Sequence, residues 1–152
     1  MSRAFVNEDR FVEDLPDRPV SLHPNYVTPR GLQLIQAALD EARRNYGEAQ
    51  ASGDRENLAS AGRDLRYWSA RRASAQLLST DPDIAGVQFG STVTIARDDG
   101  REQTFGIVGE DEADPAKGTI SHVSPLARAL LRKAVGDVVR AGKDEAEIIA
   151  IE

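Results

Sequence analysis

The chain has 152 residues, 40% hydrophobic and 29% charged, with a formal charge of −6 at pH 7. An acid excess excludes a general nucleic-acid binder, which needs a basic face to neutralise phosphates, so no sequence-specific DNA binding is expected. With no cysteine, disulfides and thiolate metal sites are excluded, and no apolar run reaches the roughly eighteen residues of a membrane span.

The length suits one ordinary domain or two small ones. Glu8, Asp9, Arg10, Glu13 and Asp14 stand where a signal peptide needs its apolar stretch, so the expected location is the cytoplasm. Residues 1–27 carry Pro16, Pro19 and Pro24 among charges without a sustained period. Proline fixes φ and biases its predecessor towards extended geometry, which predicts an extended or disordered arm. Phe5, Phe11 and Val12 are available to tack that arm onto the body.

At Thr28-Pro29 the pattern changes to a helix start, with Thr28 as N-cap and proline in the first helical position. Leu32, Ile35, Leu39, Ala42, Tyr46 and Ala49 then recur at spacings of 3, 4, 3, 4 and 3, a heptad seam. "QASGDRENLAS" (50–60) breaks the run at Gly53-Asp54. Beyond it Leu58, Ala61, Leu65 and Trp68 repeat at 3, 4 and 3, Arg72 stands at a seam position, and Ala75 and Leu78 fall near the same phase. Gly47 and Gly62 weaken their helices by roughly 1 kcal/mol each relative to alanine. Two amphipathic helices with a tight connection predict an antiparallel coiled-coil hairpin over 28–80, with its tip near 52–57. Within it, Asp54 caps the second helix and Glu56 in the first turn favours the helix dipole.

Asp81-Pro82-Asp83 ends the helical stretch. From Val87 the period becomes two: Val87, Phe89, Val93 and Ile95 alternate with polar residues. Asp99-Gly100 is a hairpin turn, and Gln103, Phe105 and Ile107 lie on the return strand. A further strand is expected over 119–123. Ser124-Pro125 then opens a helix with Leu126, Leu130 and Ala134 on one face and Gly136 as its stop. The closing "EIIAIE" is a last strand. Residues 85–152 therefore read as a small α+β domain with a mostly antiparallel sheet and one helix.

The usual catalytic signatures are missing. His23 and His122 are far apart and not grouped with other ligands at metal spacing. His122 reads as a strand residue. "FGSTVTIARDDG" is a strand and turn rather than a phosphate loop, and "EDEAD" (110–114) reads as a solvated charged loop.

The C-terminal half resembles the Gre-type transcript cleavage factors (GreA/GreB) of bacterial RNA polymerase. "VQFGSTVTI", "FGIVGEDEAD", "GTISHVSPLARALLRKAVGD" and "EIIAIE" follow that family's pattern in order and spacing, covering nearly all of 87–152. "VTPRGLQLIQAAL" is similar to the opening of its helical hairpin, and "GDRENL" to the Gly-Asp…Glu-Asn motif at the tip. The resemblance implies an antiparallel coiled coil followed by a domain of the FK506-binding-protein type. It also implies a factor that is not itself an enzyme and has no cofactor of its own. Such a factor enters the polymerase secondary channel, meets backtracked RNA only through the polymerase, and stimulates cleavage of that RNA. Tip carboxylates, here Asp54 and Glu56, would help the polymerase retain its second Mg²⁺. The docking surface at the channel rim would include Ser124, Pro125 and Leu126, whose structural reading is an N-cap, an N1 proline and a core leucine.

Two departures from the family are visible. One residue, Arg55, separates Asp54 from Glu56 where the family has two. Residues two apart on a helix point to different sides, so the pair converges on one ion only if Asp54 lies in the turn. Each arm is also roughly eight to ten residues shorter than the family's, or ~12–15 Å. An alignment anchored on "RDLRYWSARRA" instead brings Asp64 towards the tip acids. The alternative function is a channel-occupying regulator without cleavage, similar to the nucleoside diphosphate kinase regulators. A peptidyl-prolyl isomerase, suggested by fold alone, needs an aromatic-lined pocket, and residues 85–152 offer only Phe89 and Phe105.

Overall fold

The computed structural model describes residues 15–152, so Phe5, Phe11 and Val12 lie outside the described residues. The chain divides into two compact units. The first comprises the residues up to Leu22 with Gln33–Ala75, and the second His23–Leu32 with Gln76–Glu152. These boundaries depart from the divisions at 27/28 and 80/85 expected from the sequence, because Tyr26–Val27 (β1) pairs in parallel with Gln76–Leu77 (β2).

Helix α1 spans Pro29–Ser52 and α2 spans Arg55–Ser74. With 24 residues, α1 is about 36 Å long at 1.5 Å per residue. Thr28 caps α1: its Oγ1 accepts from the Gly31 N–H at 3.0 Å and its carbonyl from Leu32 at 2.9 Å. Along α1 the expected seam is the buried face, with Ile35, Leu39, Ala42 and Ala49 buried and Leu32 and Tyr46 half-buried. On α2 the buried stripe is shifted and built from small residues, Ala59, Ala61 and Gly62, with Leu58, Leu65 and Trp68 only half-buried. A Cβ on Gly62 would stand 3.4 Å from the Tyr46 ring, so the glycine makes room for that ring. Arg71, 1% exposed, takes the interior place expected for Arg72. Arg72 is exposed, and its Nε donates to Gln36 Oε1 at 3.0 Å.

The second helix stops at Ser74, short of the expected 80, so Ala75 and Leu78 are not seam residues. Ala75 leaves helical geometry at ψ 129, and the next backbone groups bond across to the first strand. Gln76 N–H donates to Asn25 O at 2.9 Å and Leu78 N–H to Val27 O at 3.0 Å. The arm is held where it is described. Asp17 accepts from Arg66 Nε at 2.5 Å, Arg18 donates to Asp64 at 3.1 Å, and the Arg18 guanidinium lies 3.9 Å from the Tyr67 ring centroid.

The second unit is built on a five-stranded sheet in the order β5-β4-β3-β7-β6. Its strands are β3 Thr92–Arg97, β4 Glu102–Val108, β5 Thr119–Ser121, β6 Val138–Ala141 and β7 Asp144–Ile151. Only β4 and β5 pair in parallel; the other neighbours are antiparallel. Val93, Ile95, Ile107, Ile148 and Leu130 are fully buried and, with Ala127, form the core between sheet and helix.

The β3–β4 hairpin turns at Asp98-Asp99-Gly100, with Gly100 at φ +87 and its N–H on Arg97 O at 2.9 Å. A type I turn closed by a left-handed glycine has this form. The Arg101 N–H, donating to Asp99 Oδ1 at 3.0 Å, holds that carboxyl below its ordinary range.

Three expectations are corrected. Strand β3 begins at Thr92 rather than Val87, because Val87 instead exchanges backbone hydrogen bonds at 2.8 Å with Arg132 and Lys133. Those same bonds end helix α3 (Pro125–Leu130) early, with Arg132 at φ +71, so Gly136 is not its stop and Ala134 is exposed. Third, strand β6 was not expected. It is joined to β7 through Gly142-Lys143, with Gly142 at φ +77 as the first central residue of a type II′ turn requires.

Candidate functional site

The tip of the hairpin is a tight turn closed by glycine and aspartate. Gly53 takes φ +68, and a Cβ there would meet nothing within 4 Å, so the glycine serves backbone conformation alone. Asp54 then sits outside the helix at φ −79, ψ 103, and its carbonyl accepts from Leu58 N–H at 2.8 Å. Its side chain is gripped twice by one residue. Asn57 N–H donates to Oδ1 at 3.2 Å and Asn57 Nδ2 to Oδ2 at 2.7 Å. Glu56 lies in the first turn of α2, and residues 50–57 are all exposed. Asp54 is therefore the N-cap, and it also lies in the turn, the condition under which two carboxylates two residues apart can face one ion.

The role of Asn57 is not evident from the tip motif alone. The signal available is its place three residues after a capping aspartate, where a polar side chain reaches back to the cap. Asp64, the alternative tip acid, lies about 15 Å further along α2 at 1.5 Å per residue and pairs with Arg18. It is not a tip residue. Among the described residues no group of three or more His, Asp or Glu side chains could hold a metal ion. Exposed carboxylates such as Asp54 and Glu56 are of the kind Mg²⁺ takes, commonly one or two from protein with several waters kept.

In the second unit Ser124 caps α3, its Oγ accepting from Ala127 N–H at 3.3 Å and its carbonyl from Arg128 N–H at 3.0 Å. Pro125 occupies N1 and is exposed, while Leu126 is half-buried against the core. A helix of six residues has little stability of its own, and this one is anchored by Ala127 and Leu130 at 0% exposure. Ser124 and Pro125 thus form an edge fixed from beneath, and Leu126 joins that edge to the core.

The acidic loop 110–114 is not the solvated run expected. All five residues are half-buried, and Glu112 accepts a 2.5 Å hydrogen bond from Thr28 Oγ1. His122 follows β5, is 8% exposed, and packs its ring 5.2 Å from Tyr26 and 5.5 Å from Phe89. His23 is exposed. No helix among the described residues is long and apolar enough to cross a membrane.

Residues 82–152 match the family described as transcription elongation factor, GreA/GreB, C-terminal. The transcription elongation factor GreB of Neisseria meningitidis serogroup B is 36% identical over 154 residues, spanning 84% of this chain and 93% of that protein. GreA of Desulfovibrio desulfuricans is 39% identical over 116 residues, spanning 73% and 69% respectively. Among solved structures, GreA factor homolog 1 of Thermus thermophilus is similar at 23% identity and a TM-score of 0.43, over 86% of this chain and 99% of that one. With more than a third of its residues shared along almost the whole of a relative, the chain belongs to the GreA/GreB family of transcription elongation factors.

Proposed function

We propose that the chain binds bacterial RNA polymerase at the rim of the secondary channel, extends its helical hairpin inward, and stimulates the polymerase's own cleavage of backtracked RNA. Family membership supports the elongation-factor role. The observation that carries the finer reading is the form of the tip. Asp54 and Glu56 are exposed beyond a hairpin arm about 36 Å long, and Asp54 lies in the turn rather than on the helix. Asn57 takes two of the roughly four lone-pair sites of the Asp54 carboxylate, which leaves acceptor capacity for a cation.

A second Mg²⁺ in the polymerase active centre, when held, supplies positive charge for both the attacking and the leaving oxygen. This chain's part is to offer carboxylate oxygens at a fixed point, Asp54 by its cap geometry and Glu56 by its place in the first turn. It performs no catalysis of its own and needs no cofactor of its own. Ser124, Pro125 and Leu126 form the docking edge.

A second reading is favoured by a different observation. Both oxygens of Asp54 already accept from Asn57. On that reading the hairpin occupies the channel without stimulating cleavage. Backtracked complexes stalled on a defined template separate the two. Shortening of the RNA from its 3′ end should accelerate at least tenfold when the chain is added. An unchanged rate, with the chain bound, selects the occupying regulator.

A further inference from the structure

Strand β6 is the last of its sheet, and among the described residues no strand lies on its outer side. Its hydrogen-bonding pattern is fixed at both ends. Ala141 and Asp144 flank the tight turn to β7, and Ile148 N–H donates to Asp137 O at 2.9 Å. Bonded and non-bonded pairs alternate along an antiparallel ladder, so Asp137, Val139 and Ala141 bond inwards to β7. Val138 and Arg140 therefore direct their N–H and C=O groups outwards, away from the sheet.

Proteins commonly keep a sheet edge single with proline, a bulge or a row of charges. Strand β6 has no proline, and its pairing with β7 runs from Val138↔Glu147 to Ala141↔Asp144 without a register shift. Val138 is 58% exposed, and Val135, just before the strand, is 59% exposed. Arg140 is the one charge on the strand, and it makes no ion pair among the described residues.

We propose that β6 pairs with β6 of a second copy of this chain, antiparallel about a twofold axis, and so joins two sheets into one. Val138 of each copy stands opposite Arg140 of the other, and each such pair exchanges both of its backbone hydrogen bonds. The two Val139 residues meet at the axis. Other registers are worse. Centring the pair on Arg140 sets two guanidinium groups directly opposite, and like charges there are destabilising. Centring it on Val138 puts Arg140 against Gly136, whose φ of +94 is not extended. The favoured register is also complementary in charge. It brings the turn residue Lys143, which makes no ion pair among the described residues, to the end of the other strand beside Asp137. This match of the strand to itself selects a second copy over an unrelated extended segment. The inference does not depend on the polymerase or on the hairpin tip.

The chain has no cysteine, so introduced thiols report the register. Val138→Cys mixed with Arg140→Cys in a glutathione redox buffer should give at least threefold more disulfide-linked dimer than either variant alone. Residues bonded opposite each other lie ~5.5 Å apart at Cα, inside the disulfide range. Sedimentation velocity of the parent from about 10 μM to 1 mM should show the mass rising from one chain towards two, as a small, weak interface allows. Val138→Pro removes an outward N–H without touching the bonds to β7, and it should raise the dissociation constant at least tenfold with an unchanged urea midpoint. If that variant lowers the midpoint, the cysteine pair, which leaves the backbone groups in place, decides alone. A parent that stays a single chain throughout overturns the proposal, as does a dimer that a well-folded Val138→Pro leaves equally tight. A mixed-disulfide yield no higher than that of the single variants overturns the register, and with it the choice of a second copy.

Discussion

Asp54 is a helix cap whose charge is also the one the proposed function would use. Its side chain caps α2 through Asn57, and its charge stands exposed at the turn. Asparagine caps a helix about as well as aspartate, so Asp54→Asn keeps the cap and removes the charge, while alanine would remove both and cost about 1 kcal/mol. Circular dichroism of Asp54→Asn should match the parent within error. The cap was legible in the sequence because Gly-Asp followed by an acid in the next turn is a local signal. Arg71 was not. A seam template assumes large apolar knobs, and it put Arg72 inside. The buried stripe of α2 runs instead through Ala59, Ala61 and Gly62, and Arg71 is buried with it.

At the scale of elements, the two glycines of the hairpin separate by what surrounds them. A Cβ on Gly47 meets nothing within 4 Å. Gly47→Ala should therefore stabilise the chain by about 0.5–1 kcal/mol, seen as a higher urea midpoint. Gly109 in the second unit is the opposite case, since a Cβ there would lie 2.4 Å from the Tyr26 carbonyl oxygen. Gly109→Ala should cost about 1–3 kcal/mol, the range for overpacking, and a midpoint at or above the parent's would contradict that packing. Elements set by local chemistry could be read in advance: the Thr28 cap, the tip, the Asp99-Gly100 turn and the buried face of α1. Elements decided by non-local backbone pairing could not. Val87 reads as a strand residue by its period and Ala134 as a helix residue by its phase. The 2.8 Å bonds of Val87 to Arg132 and Lys133 override both, and no residue near either position announces them.

For the whole molecule, one division of labour accounts for the two candidate sites. On the proposed function, the unit of His23–Leu32 and Gln76–Glu152 would supply the docking edge and the hairpin the tip. Pro125→Asp should weaken binding to polymerase about tenfold or more in a pull-down while leaving the fold intact, because acids are tolerated in a first helical turn. Equal capture of mutant and parent would remove Ser124–Leu126 from the docking surface. The central claim is that the Asp54 charge acts on the polymerase metal. Its most direct measurement is RNA cleavage in a stalled, backtracked complex with saturating parent or Asp54→Asn protein, across a Mg²⁺ titration. The account predicts that Asp54→Asn binds equally, loses the stimulation at low Mg²⁺, and recovers part of it as Mg²⁺ rises, since mass action offsets a weaker site. Stimulation by Asp54→Asn equal to the parent's at every Mg²⁺ concentration would contradict it and leave Asp54 a helix cap alone.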